Sequence, residues 1–502
     1  MRRTGLLARD VLWNLAGQGA PLVAAFFAIP ALTRGLGTDR FGILTLAWVF
    51  LGYFSLFDLG LGRALTQAVS ERLGRGETED VPSIAWTSLA AMGLLGLVAA
   101  LGSALATPLI VTHALKVPPE LRRETERAFY VLAASIPVVI LTSGFRGLLE
   151  ARHRFDLSNA IRMPLSLLML LAPLAVLPFD HDLFIIIGLL LLIRIAGMLV
   201  HAYFAARVVP GLFERPVVRL DAMRPLLATG GWMTVSNIVS PLLASLDRFV
   251  IGGVASMSAV AYYTAPYEAV TKLWLVPVAI GNALFPEFAA TFSRDPVRGA
   301  RLYRRSVTTL LLVLFPITLV IVAGARVGLK FWLGPVFAQR STVLLQVLAA
   351  GVLINSLASV PFTLAQGVGR PDLTAKLHLA ELGPFVGLLW IMVQRYGITG
   401  AAIAWTARCT VDSGVLFIVV RRMLPKGHAS LVPIAMACSA AAVFLVVAAL
   451  AATPWLQFGV VLVGVPVFLV GGVTWLLDRD DIEAILARVP LRAARARTEQ
   501  AG

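Results

Sequence analysis

Seven basic side chains lie where apolar residues dominate. Arg63, Arg146, Arg162, Arg194, Arg248, Lys272 and Arg408 fall within or at the edges of long hydrophobic runs. In a membrane-spanning helix each such charge costs about 2.5 to 3.5 kcal/mol on insertion scales, so it needs a counter-charge, a route to the headgroups or a wet cavity. Arg194 is the clearest case. The stretch "DLFIIIGLLLLIRIAGMLVHAYF" puts it near mid-span, with Gly197 and His201 following on the same helical face. It reads either as facing an aqueous lumen or as one half of a pair with a carboxylate. Arg248 follows Asp247, and adjacency on a helix turns the two side chains apart, so one can face a cavity while the other braces a neighbour. Glu268 with Lys272, and Arg408 with Asp412, have the i, i+4 spacing at which each pair can neutralise itself. Arg63, Arg146 and Arg162 lie closer to helix ends, where a long side chain can also snorkel to the headgroup layer.

Carboxylates in the same apolar setting are the candidates for ion coupling. Asp58 lies deeper than Arg63 and is turned well away from it, so it is not neutralised locally. Glu381 is the second candidate, with Lys376 and His378 as alternative partners. The excess of buried positive charge suits an anionic ligand, because a cationic aqueous cleft replaces the hydration that a pyrophosphate group would lose in lipid. A polar surface for sugar hydroxyls is available from Asn14, Gln18, Asn237, Tyr262, Tyr263, Tyr267, Trp274, Asn282 and Gln366, although aromatic residues also serve as interfacial anchors.

The elements that position these groups are membrane helices. The chain has 502 residues, 58% of them hydrophobic and 14% charged, with a mean hydropathy of +0.83. That is too apolar for a water-soluble fold. Repeated apolar stretches of about 20 to 26 residues suffice to cross a ~30 Å hydrocarbon core as helices, and they lack the alternation of a β-barrel. About fourteen spans are expected, near 11–33, 41–65, 82–108, 127–150, 157–178, 182–207, 223–250, 258–286, 303–325, 341–365, 373–394, 397–420, 431–450 and 455–477. The first follows Arg2, Arg3 and Arg9 but is too long, and too interrupted by Asn14, Gln18 and Pro21, for a cleaved signal peptide.

Alternating the connections puts the larger share of Lys and Arg on the side of both termini, which the positive-inside bias makes cytoplasmic. The formal net charge of +15 is spread over short loops, so nucleic acid is not an expected partner. Cys409 and Cys438 lie in apolar runs, which leaves no disulfide framework and no metal cluster, and no cofactor is expected. No connection is long enough to hold a soluble catalytic domain. The charged loop at 109–126, with His113, Glu120, Glu124 and Glu126, reads as an ordinary connector, so the chain is expected not to be an enzyme. The predicted organisation is an N-lobe at 1–207 (spans 1–6), a cytoplasmic linker at 208–222 and a C-lobe at 223–420 (spans 7–12). Two added helices follow at 421–477, then a cytoplasmic tail at 478–502.

Three blocks carry a family resemblance. The first, "IPALTRGLGTDRFGILTLAWVFLGYFSLFDLGLGRALTQAVSE", has Pro30, Arg34 to Gly37, Phe41-Gly42 and Asp58 to Leu61. The second, "SLDRFVIGGVASMSAVAYYTAPYEAVTKLWLVPVAIGNALFPEFA", has Asp247-Arg248, Gly252, Tyr262 or Tyr263, and Leu284 to Pro286. The third, "AQGVGRPDLTAKLHLAELGPFVGLLWIMVQRYGITGAAIAWT", has Gly369-Arg370 and the run from Gly397 to Ala402. In this order they resemble Wzx-type oligosaccharide flippases of the multidrug/oligosaccharidyl-lipid/polysaccharide exporter superfamily. The resemblance implies an all-α, V-shaped bundle of two six-helix lobes with alternating access, in the inner membrane. It further implies an undecaprenyl-pyrophosphate-linked oligosaccharide as cargo, moved from the cytoplasmic to the periplasmic leaflet for surface polysaccharide synthesis under an ion gradient. Membrane lipids, a polysaccharide polymerase and chain-length machinery are the partners it suggests. A flippase for the peptidoglycan precursor lipid II, or a drug exporter of the same superfamily, is the alternative. The drug exporter fits less well, because its cationic cargo calls for an acidic cavity.

Overall fold

A computed structural model describes residues 2–54, 61–213, 242–243, 245–292, 295–425, 430 and 432–476. Among these residues the chain is helical throughout, without a strand. An apolar solvent offers the backbone no hydrogen bonds, so each segment must satisfy its own N–H and C=O groups, and a helix does this within one segment. Nine of the described helices are long and apolar enough to cross a membrane. Their exposed faces are hydrophobic, as with Leu94, Leu97, Val98, Leu101 and Leu105 on one helix, so the surface is built for lipid contact.

The chain divides into two compact units. Unit 1 comprises Met1–Ala265 with Val393–Ile398, and unit 2 comprises Pro266–Met392 with Thr399–Gly502. Unit 1 contains α1 (Arg2–Phe54), α2 (Leu61–Gly74), α3 (Val81–Leu109), α4 (Arg122–Ala151), α5 (Phe155–Val176) and α6 (Leu183–Val208). The spans expected at 11–33 and 41–65 form one helix in α1, kinked at Gly37, where φ is +75°. Only glycine adopts that conformation without strain. Residues 55–60 of the second span lie outside the described residues, and α2 is described from Leu61. The seventh expected span, 223–250, lies mostly outside the described residues, and helix is present at 245–254.

Helix starts in unit 1 follow local chemistry. Asp182 caps α6 by accepting from the Phe184 N–H at 2.8 Å, and α3 begins with a proline in its first turn, where no N–H is needed. Leu65, Val69, Ile84, Leu89 and Leu148 form a shared core of α2, α3 and α4. At one end of the unit Arg40 makes a forked contact with Glu124, 2.9 Å at both Nε and Nη2. Glu124 also accepts from the Leu183 N–H at 2.9 Å. The Glu124 hydrogen bond holds the Arg40 guanidinium above its already high ordinary pKa. At the same end the Lys116 N–H donates to the Gly252 carbonyl at 2.8 Å, and the Ser258 N–H donates to Asp39 at 3.0 Å. Gly42 is pressed so close to the Met257 carbonyl that a Cβ would lie 2.0 Å from its oxygen.

A helix α7 (Met257–Thr271) follows, and a 3-10 turn at Lys272–Trp274 separates it from α8 (Leu275–Phe292). The single span expected at 258–286 is therefore interrupted. Then come α9 (Pro296–Trp332), α10 (Pro335–Gly367) and α11 (Pro371–Arg421). The last joins the spans expected at 373–394 and 397–420 through Gly397, whose φ is +58° and ψ −139°. Contacts between the two limbs, given below, show that α11 folds back on itself. Helices α12 (Val432–Leu450) and α13 (Pro454–Leu476) attach to α9 through Phe315, whose ring lies 6.1 Å from Phe444 and 3.9 Å from Phe468.

Candidate functional site

The two units each hold a group of ionisable side chains in apolar surroundings. In unit 1, Arg194 is half-buried on α6, and its Nε is shut off from solvent with no hydrogen-bond partner. No described carboxylate pairs with it. One turn on, Gly197 lets α6 close on α5, since a Cβ there would meet the Leu165 side chain at 2.6 Å. His201 is buried, with Nδ1 2.8 Å from the Gly197 carbonyl. A carbonyl only accepts, so Nδ1 carries the proton of that bond. Its Nε2 is buried without a hydrogen-bond partner, and Arg146 and Glu150 of α4 are near enough to act on the ring electrostatically.

Arg146 pairs with Glu150 at 3.5 Å, both partly exposed. This pairing adds a carboxylate that snorkelling alone does not invoke, and the i, i+4 spacing was the signal for it. Arg162 is exposed on α5, and its carbonyl accepts from Ser166 at 2.9 Å. Asp58 and Asn237 lie outside the described residues, as do the side chains of Asn14, Gln18 and Arg63.

Asp247 and Arg248, adjacent in the sequence, are linked to each other and to Tyr263. Both are buried, and the Arg248 N–H donates to Asp247 Oδ1 at 2.8 Å. Asp247 Oδ2 accepts from the Tyr263 hydroxyl. Tyr263 is fully buried, so the structure assigns its hydroxyl to Asp247.

In unit 2 the expected Glu268–Lys272 pair forms, at 3.2 Å and partly exposed. The second i, i+4 pairing differs from its expectation. Arg408 lies 3.6 Å from Glu381 on the other limb of α11, while Asp412 lies 3.7 Å from His378. Lys376 instead joins Asp372 at 3.4 Å. The fold-back at Gly397 explains the exchange, because it offers Arg408 a facing carboxylate that no linear reading of one helix contains. The Arg408 and Glu381 side chains are 11% and 8% exposed, and that of Asp412 is 6% exposed. Neither Glu381 oxygen has a hydrogen-bond partner, nor does Asp412 Oδ1.

Aromatic groups wall this cluster. His378 stacks on Phe362 with ring centroids 6.1 Å apart, and the Arg408 guanidinium stands over Phe385 at 5.4 Å. One turn before Arg408, Trp405 packs with Tyr267 and Trp274 at 5.8 and 6.2 Å. Both indole N–H groups are buried without a partner. Among the described residues, no group of three or more His, Cys, Asp or Glu side chains is arranged to hold a metal ion. Cys409 is buried and Cys438 half-buried, both as free thiols.

Comparison with known proteins agrees with this architecture. The family model for polysaccharide biosynthesis protein matches residues 7–292, which include the first two of the blocks identified in the sequence. A Shigella flexneri protein described as "Putative O-antigen transporter" is 31% identical over 421 residues, 83% of this chain and 98% of that protein. A protein of the same description from Escherichia coli K12 is 22% identical, covering 70% of this chain and 82% of its own length. Among solved structures, an inward-facing multidrug resistance MATE family transporter of the MOP superfamily superposes with a TM-score of 0.70 at 18% identity, over 80% of this chain and 94% of that one. The lipid II flippase MurJ, in an inward closed conformation, superposes with a TM-score of 0.67 at 13% identity, over 91% and 98%. At these identities the two structures speak for the fold. Sequence and fold together show that this chain, a multi-pass membrane protein with the all-helical architecture of MATE and MurJ transporters, belongs to the polysaccharide biosynthesis protein family.

Proposed function

We propose that the protein is a flippase that carries an undecaprenyl-pyrophosphate-linked oligosaccharide from the cytoplasmic to the periplasmic leaflet of the inner membrane. The near full-length relationship to a protein described as an O-antigen transporter supports the cargo class. The observation that carries the reading within this chain is Arg194, a cation at mid-helix with a buried, unpartnered Nε. An unneutralised guanidinium in such a place is costly unless water or an anion reaches it. A pyrophosphate supplies several acceptor oxygens and leaves the sugar and the polyprenyl chain free to contact other surfaces.

In this reading residues 1–207 and 223–420 act as two lobes joined by 208–222, both termini are cytoplasmic, and 421–477 is an appendage. Arg63, Arg162 and Arg248 add positive potential to the path, and Asn14, Gln18 and Asn237 add polar groups for the sugar, whereas Arg146 and Lys272 are offset by their carboxylates and the Tyr263 hydroxyl is held by Asp247. Asp58 and Glu381 couple transport to an ion gradient. The product in the outer leaflet is then available to a polymerase and its chain-length machinery.

Complementation of a strain lacking its own carrier tests the reading. Arg194→Ala is expected to reach the membrane at near wild-type levels and to abolish surface polysaccharide, with Arg194→Lys restoring part of it. Full export by the alanine variant refutes the role of this residue. Lipid-linked oligosaccharide that stays in the inner leaflet when wild-type protein is present refutes the function.

A further inference from the structure

We infer that Glu381, Asp412 and His378, gathered around Arg408 in the fold-back of α11, form a binding site for one exchangeable proton. The site deepens the transport reading by naming its coupling ion. Ionisable side chains this well buried are rarely left without full pairing. Here two carboxylates face one arginine. With His378 neutral, the formal charges leave one negative charge over beside the apolar rings of Phe362 and Phe385. That excess is costly in a low-dielectric interior, and one added proton removes it.

The electrostatic surroundings are closed. Glu381 interacts with Asp412 and Arg408, and Asp412 with His378, Arg408 and Glu381. Arg408 also touches Cys409 at 3.5 Å. From α10 come the Phe362 ring and the Ile354 carbonyl, which accepts from Ser413 at 3.2 Å. The single ionisable residue of α10, Arg340, lies in its first turns, far along the helix from Phe362.

The geometry favours a proton over a metal cation. The Arg408 guanidinium already stands 3.6 Å from Glu381, so a cation at that carboxylate meets a like charge. A sodium or divalent ion also needs several converging oxygens. The two Glu381 oxygens and Asp412 Oδ1, buried and without hydrogen-bond partners, are free to take a proton and donate it to one another. The balance is simple: a hydronium gives H⁺ to a carboxylate, yielding a neutral carboxylic acid and water, and release to water on the other side reverses it.

A route from protonation to movement is present in the same helix. Pro384 follows Glu381 by less than one turn and takes an N–H out of the ladder, which leaves the Ala380 carbonyl without its usual partner. The limb that carries Glu381 can therefore bend next to the group whose charge changes.

Infrared spectroscopy of the purified full-length protein, across pH and in either sodium or choline chloride, tests this. A carboxylic acid band at the high frequency of a carbonyl with few hydrogen bonds is expected to rise and fall with pH and to ignore the choice of salt. Because the two carboxyls share one proton, Glu381→Gln and Asp412→Asn each lose at least about half of its amplitude. A band that keeps its full size in both variants overturns the site. A wild-type protein whose carboxylate bands respond to sodium at constant pH and not to pH overturns it as well, and that arm decides the matter if the variants fail to fold. Proteoliposomes with a fluorescent pyrophosphate-linked polyprenol separate the two proposals. Movement that is absent while the band behaves as stated removes the transport reading and leaves the proton site standing.

Discussion

At the scale of single residues, the buried charges divide by how they are paired. Arg146 and Lys272 each have a carboxylate one turn away on the same helix. The rule of spacing found Lys272 with Glu268 in the sequence, and the same spacing was there to be read at Arg146 and Glu150. Arg408 and Glu381 were visible as unusual residues, but their partnership was not, because it depends on a chain reversal between positions 381 and 408. Arg194 stood out in the sequence as a cation in a run of leucine and isoleucine, and in the structure it still lacks a partner among the described residues. The prediction at this scale concerns His201. Its Nδ1–H donates to the Gly197 carbonyl one turn back in the same helix, a buried bond. His201→Leu removes that bond at similar volume, and is expected to lower stability by about 1 kcal/mol. A fluorescence-detected melting curve that does not move refutes that contribution.

The elements were legible in so far as hydrophobic length defines them. Each described helix from α3 to α6, and α9, α10, α12 and α13, overlaps one expected span, and α11 overlaps two, because length and apolarity are what a bilayer demands of a helix. Breaks were less legible. The interruption at Lys272–Trp274 occurs within a run that is apolar on both sides, and neither Gly37 nor Gly397 differs in type from glycines that lie in straight helix. What marks these two is the backbone angle, which depends on packing at a distance. Gly397→Ala is expected to cost about 1 to 3 kcal/mol through its φ alone, since open space surrounds the new Cβ. Gly42→Ala meets the opposite problem: its φ is helical, but its Cβ would collide with the Met257 carbonyl. Comparing monodisperse yield and melting temperature of the two variants checks the distinction, with Gly42→Ala expected to be the more damaged. Equal, small losses would show that the approach of 42 to 257 is loose.

For the whole molecule, the sequence conveyed class and family more readily than partnership, because composition is a sum over many residues while a site is a coincidence of few. The orientation yields a prediction of its own. A fluorescent protein fused to the C-terminus is expected to mature and a phosphatase at the same place to be inactive, and the reverse pattern refutes a cytoplasmic end. The fold-back of α11 has a consequence for how the chain enters the membrane during synthesis. As a straight rod its 51 residues would extend about 77 Å, more than twice the hydrocarbon thickness. It must therefore leave the translocon as a hairpin, and only as a hairpin do Glu381 and Arg408 meet. The first limb alone carries the Glu381 charge into lipid without a counter-charge; beside the second limb it meets Arg408. Separating the two halves onto two polypeptides should thus impair insertion of the first, and co-expression should rescue it.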